Sequence, residues 1–345
     1  MSLTKVTNEV FRSTQAMSFS RLSKLADGPQ SYKASLEEKE FSLGRAFGSV
    51  VDILLTNPER FEEEFYVMTA DKPSSDMMLK FCEVYAETGD EERAHAASGF
   101  KIGLNAVKTK FETEGKPYYN AIILGKGKKI IDASILFAAN QTVAALKSNL
   151  FTKRYFVSDG ENIQIEYQTI IIWEEELIQL GDTSTPLTIK FKGALDLTRI
   201  DHERKEIEIM DIKTGSEGFW KSYWKNKLYL QGAMYYFGLK KVLQDTDLKD
   251  YKILPIGFIY ADSNLYYPPA IYAMNENDLE IARAGYYQKI IKDGKIITSD
   301  QLRIKGYQRL AQEMDWHNRN DMWDYPYEVY QSNGVINIDS FNPKL

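Results

Sequence analysis

At about residue 154 the sequence changes its periodicity, and that change restricts the folds open to it. Upstream, apolar residues recur at helical spacing. Over Ser42 to Leu55 the side chains of Leu43, Phe47, Val50, Val51 and Leu54 fall on one helical face, and Asn57-Pro58 ends the run. Ser18-Phe19-Ser20-Arg21-Leu22 reads as a capped helix start, broken at Gly28-Pro29. Residues 76–150 read as mostly helical, with loops near Gly89, Gly115 and the Gly125–Lys129 turn and an amphipathic helix from Asp132 to Leu150. Downstream, Asn162–Trp173 is rich in Ile, Tyr and Thr and predicts a strand. Leu187–Arg199 and Ile207–Thr214 predict two more, with a hairpin turn around Asp201–Lys205. Phe219–Leu243 returns to helical spacing, Ile253–Tyr260 and Ala270–Met274 predict further strands, and Asn277–Lys292 and Asp300–Trp316 predict closing helices. The sum is an α/β chain with a helical N-terminal region. Its expected divisions are a helical part over 1–153, a core over 154–295 and a tail over 296–345 packed on that core.

Composition narrows the setting. With 345 residues, 43% of them hydrophobic, the chain has ample material for a core and room for two domains. Cys82 is the only cysteine, which excludes an internal disulfide and any cysteine-built metal cluster and fits a reducing compartment. Cys82 itself reads as a small helix residue. The N-terminal residues lack a basic stretch followed by an apolar run, and the longest apolar stretches, such as Thr169–Trp173, are too short for a bilayer. A cytoplasmic protein without a membrane partner is expected. The net charge of −6 does not announce a nucleic-acid binder, but the charge is uneven. Between Gly218 and Gln244 lie five lysines and no acid, and Gly99 to Ile131 holds seven lysines against Glu112 and Glu114.

The informative stretch is Gly193-Ala194-Leu195-Asp196-Leu197 followed by Ile209-Met210-Asp211-Ile212-Lys213-Thr214. Side chains alternate along a strand, so Asp211 and Lys213 share a face while Glu208, Met210 and Ile212 share the other. A hairpin turning near His202 sets Asp196 opposite residues close to Asp211. Two carboxylates so close repel, and one takes up a proton unless a cation intervenes. Mg²⁺ or Mn²⁺ suits such a pair, because hard cations take oxygen ligands. The lysine suits phosphodiester hydrolysis, where it orients or helps deprotonate water or neutralises charge developing on the phosphate. An Asp-x-Lys alone is ordinarily a surface ion pair. The second carboxylate one hairpin upstream weakens that plain reading, and so does the next helix, where Gln231 and Tyr235 stand at i and i+4 on one face.

The order Gly-x-x-Asp, Asp-Ile-Lys-Thr and Gln-x-x-x-Tyr resembles the PD-(D/E)xK nuclease superfamily in its RecB-like branch. Leu195 stands where the name-giving proline motif would precede Asp196. The resemblance implies a mixed central sheet flanked by helices. It also implies metal binding by Asp196, Asp211 and the Ile212 carbonyl, catalysis by Lys213, and Gln231 and Tyr235 near the scissile phosphate or DNA backbone. Ser18–Leu22 and Leu43–Leu55 look like the opening of exonuclease VIII (RecE-type) and phage recombination exonucleases. There a Gly-x-x-x-His element brings a histidine to the metal; here Gly48 is followed by Asp52 at that position, and an aspartate can also ligate. Glu166 matches, by order, a glutamate on the strand before the first acid. Thr214, Lys221, Lys225 and Lys227 are the expected DNA contacts. A ring-like homo-oligomer and a single-strand-annealing partner are implied by the resemblance alone.

The expected activity is a Mg²⁺- or Mn²⁺-dependent DNA exonuclease of phage-type recombination or end processing, in a bacterial or phage-infected cell. The alternatives are an endonuclease of the same superfamily and a catalytically idle DNA-binding or scaffolding protein. Trp220 and Trp224, at i and i+4, read as a core-facing stripe beside lysines that meet DNA. Gly125–Lys129 reads as a basic turn rather than a phosphate loop, since it lacks the required spacing. His95, His202 and His317 show no ligand spacing.

Overall fold

The computed structural model describes residues 3, 6–37, 43–158, 160–182, 184–292 and 295–335. The chain packs as two compact units, Met1–Glu40 with Leu146–Leu345, and Phe41–Ala145. Eleven strands are found among the described residues: β1 Met17–Ser18, β2 Phe65–Met68, β3 Lys129–Asp132, β4 Ile163–Ile178, β5 Pro186–Asp201, β6 Glu206–Gly215, β7 Lys252–Ile253, β8 Gly257–Asp262, β9 Ala270–Ala273, β10 Tyr286–Lys292 and β11 Lys295–Ile304.

The larger unit is built on a seven-stranded mixed sheet. β4, β5 and β6 form an antiparallel meander, β8 runs parallel to β6, and β9 closes the edge antiparallel to β8. β1 lies parallel to β5, and β7 extends the β6 edge. Parallel strands cannot be joined by a tight turn. The helices Phe219–Lys225 and Leu228–Val242 supply the crossover from β6 to β8. Helix Leu228–Val242 is apolar on nearly every side, and Leu228, Leu230, Ala233, Met234 and Leu239 join the core formed with Ile171, Trp173, Phe191, Ile209 and Phe258. Helix Tyr307–Asn320 adds Tyr307, Leu310, Ala311 and Met314 to that core. Glu208 is also buried and engages Arg199 at 3.0 Å, Arg154 at 2.5 Å and the Tyr155 hydroxyl at 2.8 Å. Burying that carboxylate is tolerable because its charge is paired and its lone pairs are filled.

The smaller unit holds helices Leu43–Thr56, Asp76–Thr88, Glu91–Ser98, Leu104–Lys110 and Lys116–Leu124, with β2 and β3 paired in parallel. Met78, Phe81, Cys82, Val107 and Phe111 form its core. Cys82 is buried, and burial pushes its thiol up to about 11, as befits a packing residue.

The mixed α/β architecture expected from the sequence is the one observed. Some elements differ. The helix expected over Phe219–Leu243 is two, because Lys227 takes a left-handed φ of +54° between them. The strand expected over Ile253–Tyr260 is interrupted, β7 ending before Pro255 and β8 starting at Gly257, since proline cannot donate to a ladder. The helix expected over Asn277–Lys292 ends at Ala284, where Gly285 adopts φ +100°. β10 and β11 follow, so the expected start of a helix at Asp300 is strand instead. No helix among the described residues is long and apolar enough to cross a membrane.

Candidate active site

β5 and β6 pair from Asp201↔Glu206 to Leu197↔Met210. One step further along that register Asp196 faces Asp211, but the ladder stops before it. Asp196 turns its carboxylate across the gap, and Oδ2 accepts the Ile212 N–H at 2.9 Å. The cause is a change of phase in the pleat. Ile189, Phe191 and Leu195 share one core with Ile200, so odd positions below the site and an even position above it face the same way. In β4 the residue set against Asp196, between Tyr167↔Leu197 and Thr169↔Leu195, is Gln168. Its φ is +52°, a conformation that turns a strand out of its regular alternation.

Asp211 is fully buried. Its Oδ1 accepts the Gln231 side-chain amide at 2.7 Å, and its Oδ2 lies 2.5 Å from Lys213 Nζ. Burial, and next to it the Asp196 charge, push the Asp211 carboxyl up to about 7 against the opposing pull of Lys213. The same Gln231 amide donates to the Tyr235 hydroxyl at 3.1 Å, so one side chain ties the second acid to the tyrosine. Burial foremost, then Asp211 and Asp196, push the Tyr235 phenol well up and keep it protonated. Gly193 is required beside it: a Cβ there would lie 2.8 Å from the Tyr235 ring. The glycine three residues before Asp196 and the tyrosine four after Gln231 are therefore two halves of one contact.

The structure thus brings Asp196, Asp211, Lys213, Gln231 and Tyr235 together, with Ile212 between the second acid and the lysine. Among the described residues no group of three or more His, Cys, Asp and Glu side chains could hold a metal. The available donors are two carboxylates and main-chain oxygen, a set that suits Mg²⁺ or Mn²⁺ rather than a softer ion. Gln231 Oε1 is buried and has no donor among the described residues, which leaves it an acceptor for a water proton at the site.

Several of the other expected residues have partners of their own. Glu166 is in β4, where its carboxylate accepts the Leu3 N–H at 3.0 and 3.1 Å and the Gln164 amide at 2.6 Å. Asp52 is half-buried in helix Leu43–Thr56, in the other compact unit. Thr214 lies in β6 beside Ala261 of β8. Lys221 and Lys225 are exposed and both reach Glu217, at 3.2 and 3.5 Å. Lys227 pairs with Asp27 at 2.5 Å. Trp220 and Trp224 are not a core stripe: they are 62% and 59% exposed, and Phe219 and Tyr223, one residue earlier in each case, fill the core instead. Gln168 carries no sequence signal, since nothing in its chemistry announces a positive φ.

No family model matches the chain, and no curated protein matches it. Among solved structures it is similar to a Eubacterium rectale protein described only provisionally as an exonuclease, with 17% identity, 80% of each chain covered and a TM-score of 0.41. It is also similar to the protein SSO0001, with 14% identity, a TM-score of 0.22, and 68% of this chain and 81% of that one covered. The chemistry of the site is carried by the side chains described above.

Proposed function

We propose that this protein is a Mg²⁺- or Mn²⁺-dependent DNA nuclease of the PD-(D/E)xK type. We read it as an exonuclease of recombination or DNA-end processing. The observation that carries the reading is the fully buried Asp211, held by Gln231 and Lys213 and faced by Asp196. A purely structural ion pair needs neither the second carboxylate nor a carboxyl raised toward neutrality. Pairs of that kind cluster where chemistry is done.

Asp196, Asp211 and the Ile212 carbonyl would hold the cation. When bound, it lowers the pKa of water and polarises phosphoryl oxygen. Gln231 fixes the Asp211 carboxylate through Oδ1, so that acid keeps one orientation. Lys213, on the same strand face, offers its ammonium to the phosphate oxygens and orients the attacking water. The Tyr235 phenol stays neutral, which suits a hydrogen bond to the DNA backbone better than proton abstraction. A single-strand-annealing partner and a ring-like homo-oligomer belong to this reading as further proposals.

Digestion of matched linear and closed circular duplex DNA tests it, with Mg²⁺, Mn²⁺ or EDTA. Metal-dependent loss of the linear form alone is the expected result. Cutting of the circle would make the protein an endonuclease. Intact DNA in every metal would leave a DNA-binding or scaffolding role.

A further inference from the structure

The two exposed tryptophans border a cavity of about 200 Å³ on the β8–β9 side of the sheet, walled by Phe219, Trp220, Trp224 and Tyr272 and rimmed by Asp278 and Ile304. Phe219 and Tyr272 stack face to face at 4.0 Å, and Trp220 stands edge-on to Tyr272 at 5.8 Å. The cavity is in register with the candidate active site. Asp211 pairs with Phe258, and Phe258 with Tyr272, along one row of three adjacent strands. Residues so paired point to the same face. Two strand spacings separate the ends of the row, about 10 Å. That distance lies within reach of the next nucleotides of a strand whose phosphate sits at Asp211 and Lys213.

We propose that this cavity is a subsite for an unpaired nucleobase of the DNA strand being cut, an inference that rests on the nuclease reading above. The walls are π faces and edges, which receive a flat ring of any sequence. The cavity suits a single planar ring better than an extended peptide. The exposed Asp278 carboxylate can accept from a base N–H. Lys221 and Lys225 follow the two tryptophans on the same short helix and share the one carboxylate of Glu217, which leaves one of their two positive charges for backbone phosphate. A base can enter only if it is out of the duplex stack. The site therefore selects a single strand or a frayed end.

The test is anisotropy titration of a labelled oligothymidylate and of a blunt duplex with the full chain in EDTA, where no cleavage occurs. Trp220→Ala/Trp224→Ala should bind the single strand about tenfold or more weakly than wild type, with a smaller loss on the duplex. Trp220→Phe/Trp224→Phe should recover most of the affinity, and circular dichroism melts should match, since both positions are exposed. Single-strand binding by the alanine variant equal to wild type would overturn the subsite and leave the patch to a protein partner. So would loss in the phenylalanine variant as large as in the alanine one. Wild-type digestion in Mg²⁺ separates the two ideas. Tryptophan-dependent binding without any cleavage would retain a base-binding site and reject the nuclease, whereas cleavage with tryptophan-independent binding would retain the nuclease and reject the site.

Discussion

Burying Asp211 between Asp196 and Lys213 has a cost that depends on pH. The Asp211 carboxyl ionises near 7 in the folded chain against an ordinary 3.8, so between these values the folded state holds a proton that the unfolded state has lost. Stability falls with rising pH wherever the folded state binds more protons. The metal-free protein should therefore lose this group's share of stability as pH climbs from about 4 to about 7. Asp211→Asn should escape the loss. Without divalent cation at about pH 8 it should melt a few degrees above wild type, and Mg²⁺ should no longer raise its melting temperature. Calorimetry across pH decides this; a variant that melts below wild type at high pH and still responds to Mg²⁺ would contradict it. Gly193 makes a steric prediction. Gly193→Ala should cost about 1–3 kcal/mol in urea unfolding, because the Tyr235 ring is buried and has little room to give. These residues were legible because strand alternation and a hairpin turn set Asp196, Asp211 and Lys213 near one another, while the kink at Gln168 that aims Asp196 has no sequence signal. The tryptophans were not. Phe219 with Tyr223 and Trp220 with Trp224 have the same i, i+4 spacing, and periodicity alone does not say which aromatic pair goes inward.

At the scale of elements, the site depends on a defect shared by β4 and β5. Gln168 at φ +52° stands where register sets it against Asp196, and the ladder between β5 and β6 ends at the same level. Glycine adopts that conformation freely, whereas a β-branched residue resists it. Gln168→Gly should keep cation-induced stabilisation near wild type. Gln168→Val should lose about 1–3 kcal/mol of stability and weaken the response to Mg²⁺, as read by thermal melts with and without the ion. Equal behaviour of the two variants would mean that backbone conformation at this position does not aim Asp196. The strands of the meander were readable from alternation. The hairpin of β10 and β11 was not, because Tyr286, Tyr287, Ile290 and Ile291 also satisfy helical spacing when the stop at Gly285 is overlooked.

Across the whole molecule, the proposed DNA binding by a chain of net charge −6 requires phosphate contacts that are local. Lys221 and Lys225 are exposed and share one acid, while Lys227 is largely covered by its pairing with Asp27. Each of Lys221→Ala and Lys225→Ala should reduce the salt slope of single-strand binding by about 0.7, and Lys227→Ala should leave it unchanged. Titrations at several salt concentrations measure this. The described residues up to Glu37 pack with the sheet-bearing unit although their texture matches the helical half of the sequence. Periodicity reports the type of an element, while its packing partner is set by contacts far apart in sequence, such as the Lys192 ammonium donating to the Phe11 and Thr14 carbonyls. The central claim is that Lys213 and the two aspartates form a hydrolytic site. Its most direct test is single-turnover cleavage of an end-labelled linear duplex in Mg²⁺ by wild type and by Lys213→Ala, with matched melting curves. Cleavage by wild type that falls about a hundredfold or more in the variant is the predicted result. Equal rates in the two proteins, or no cleavage by wild type at high enzyme concentration, would contradict it.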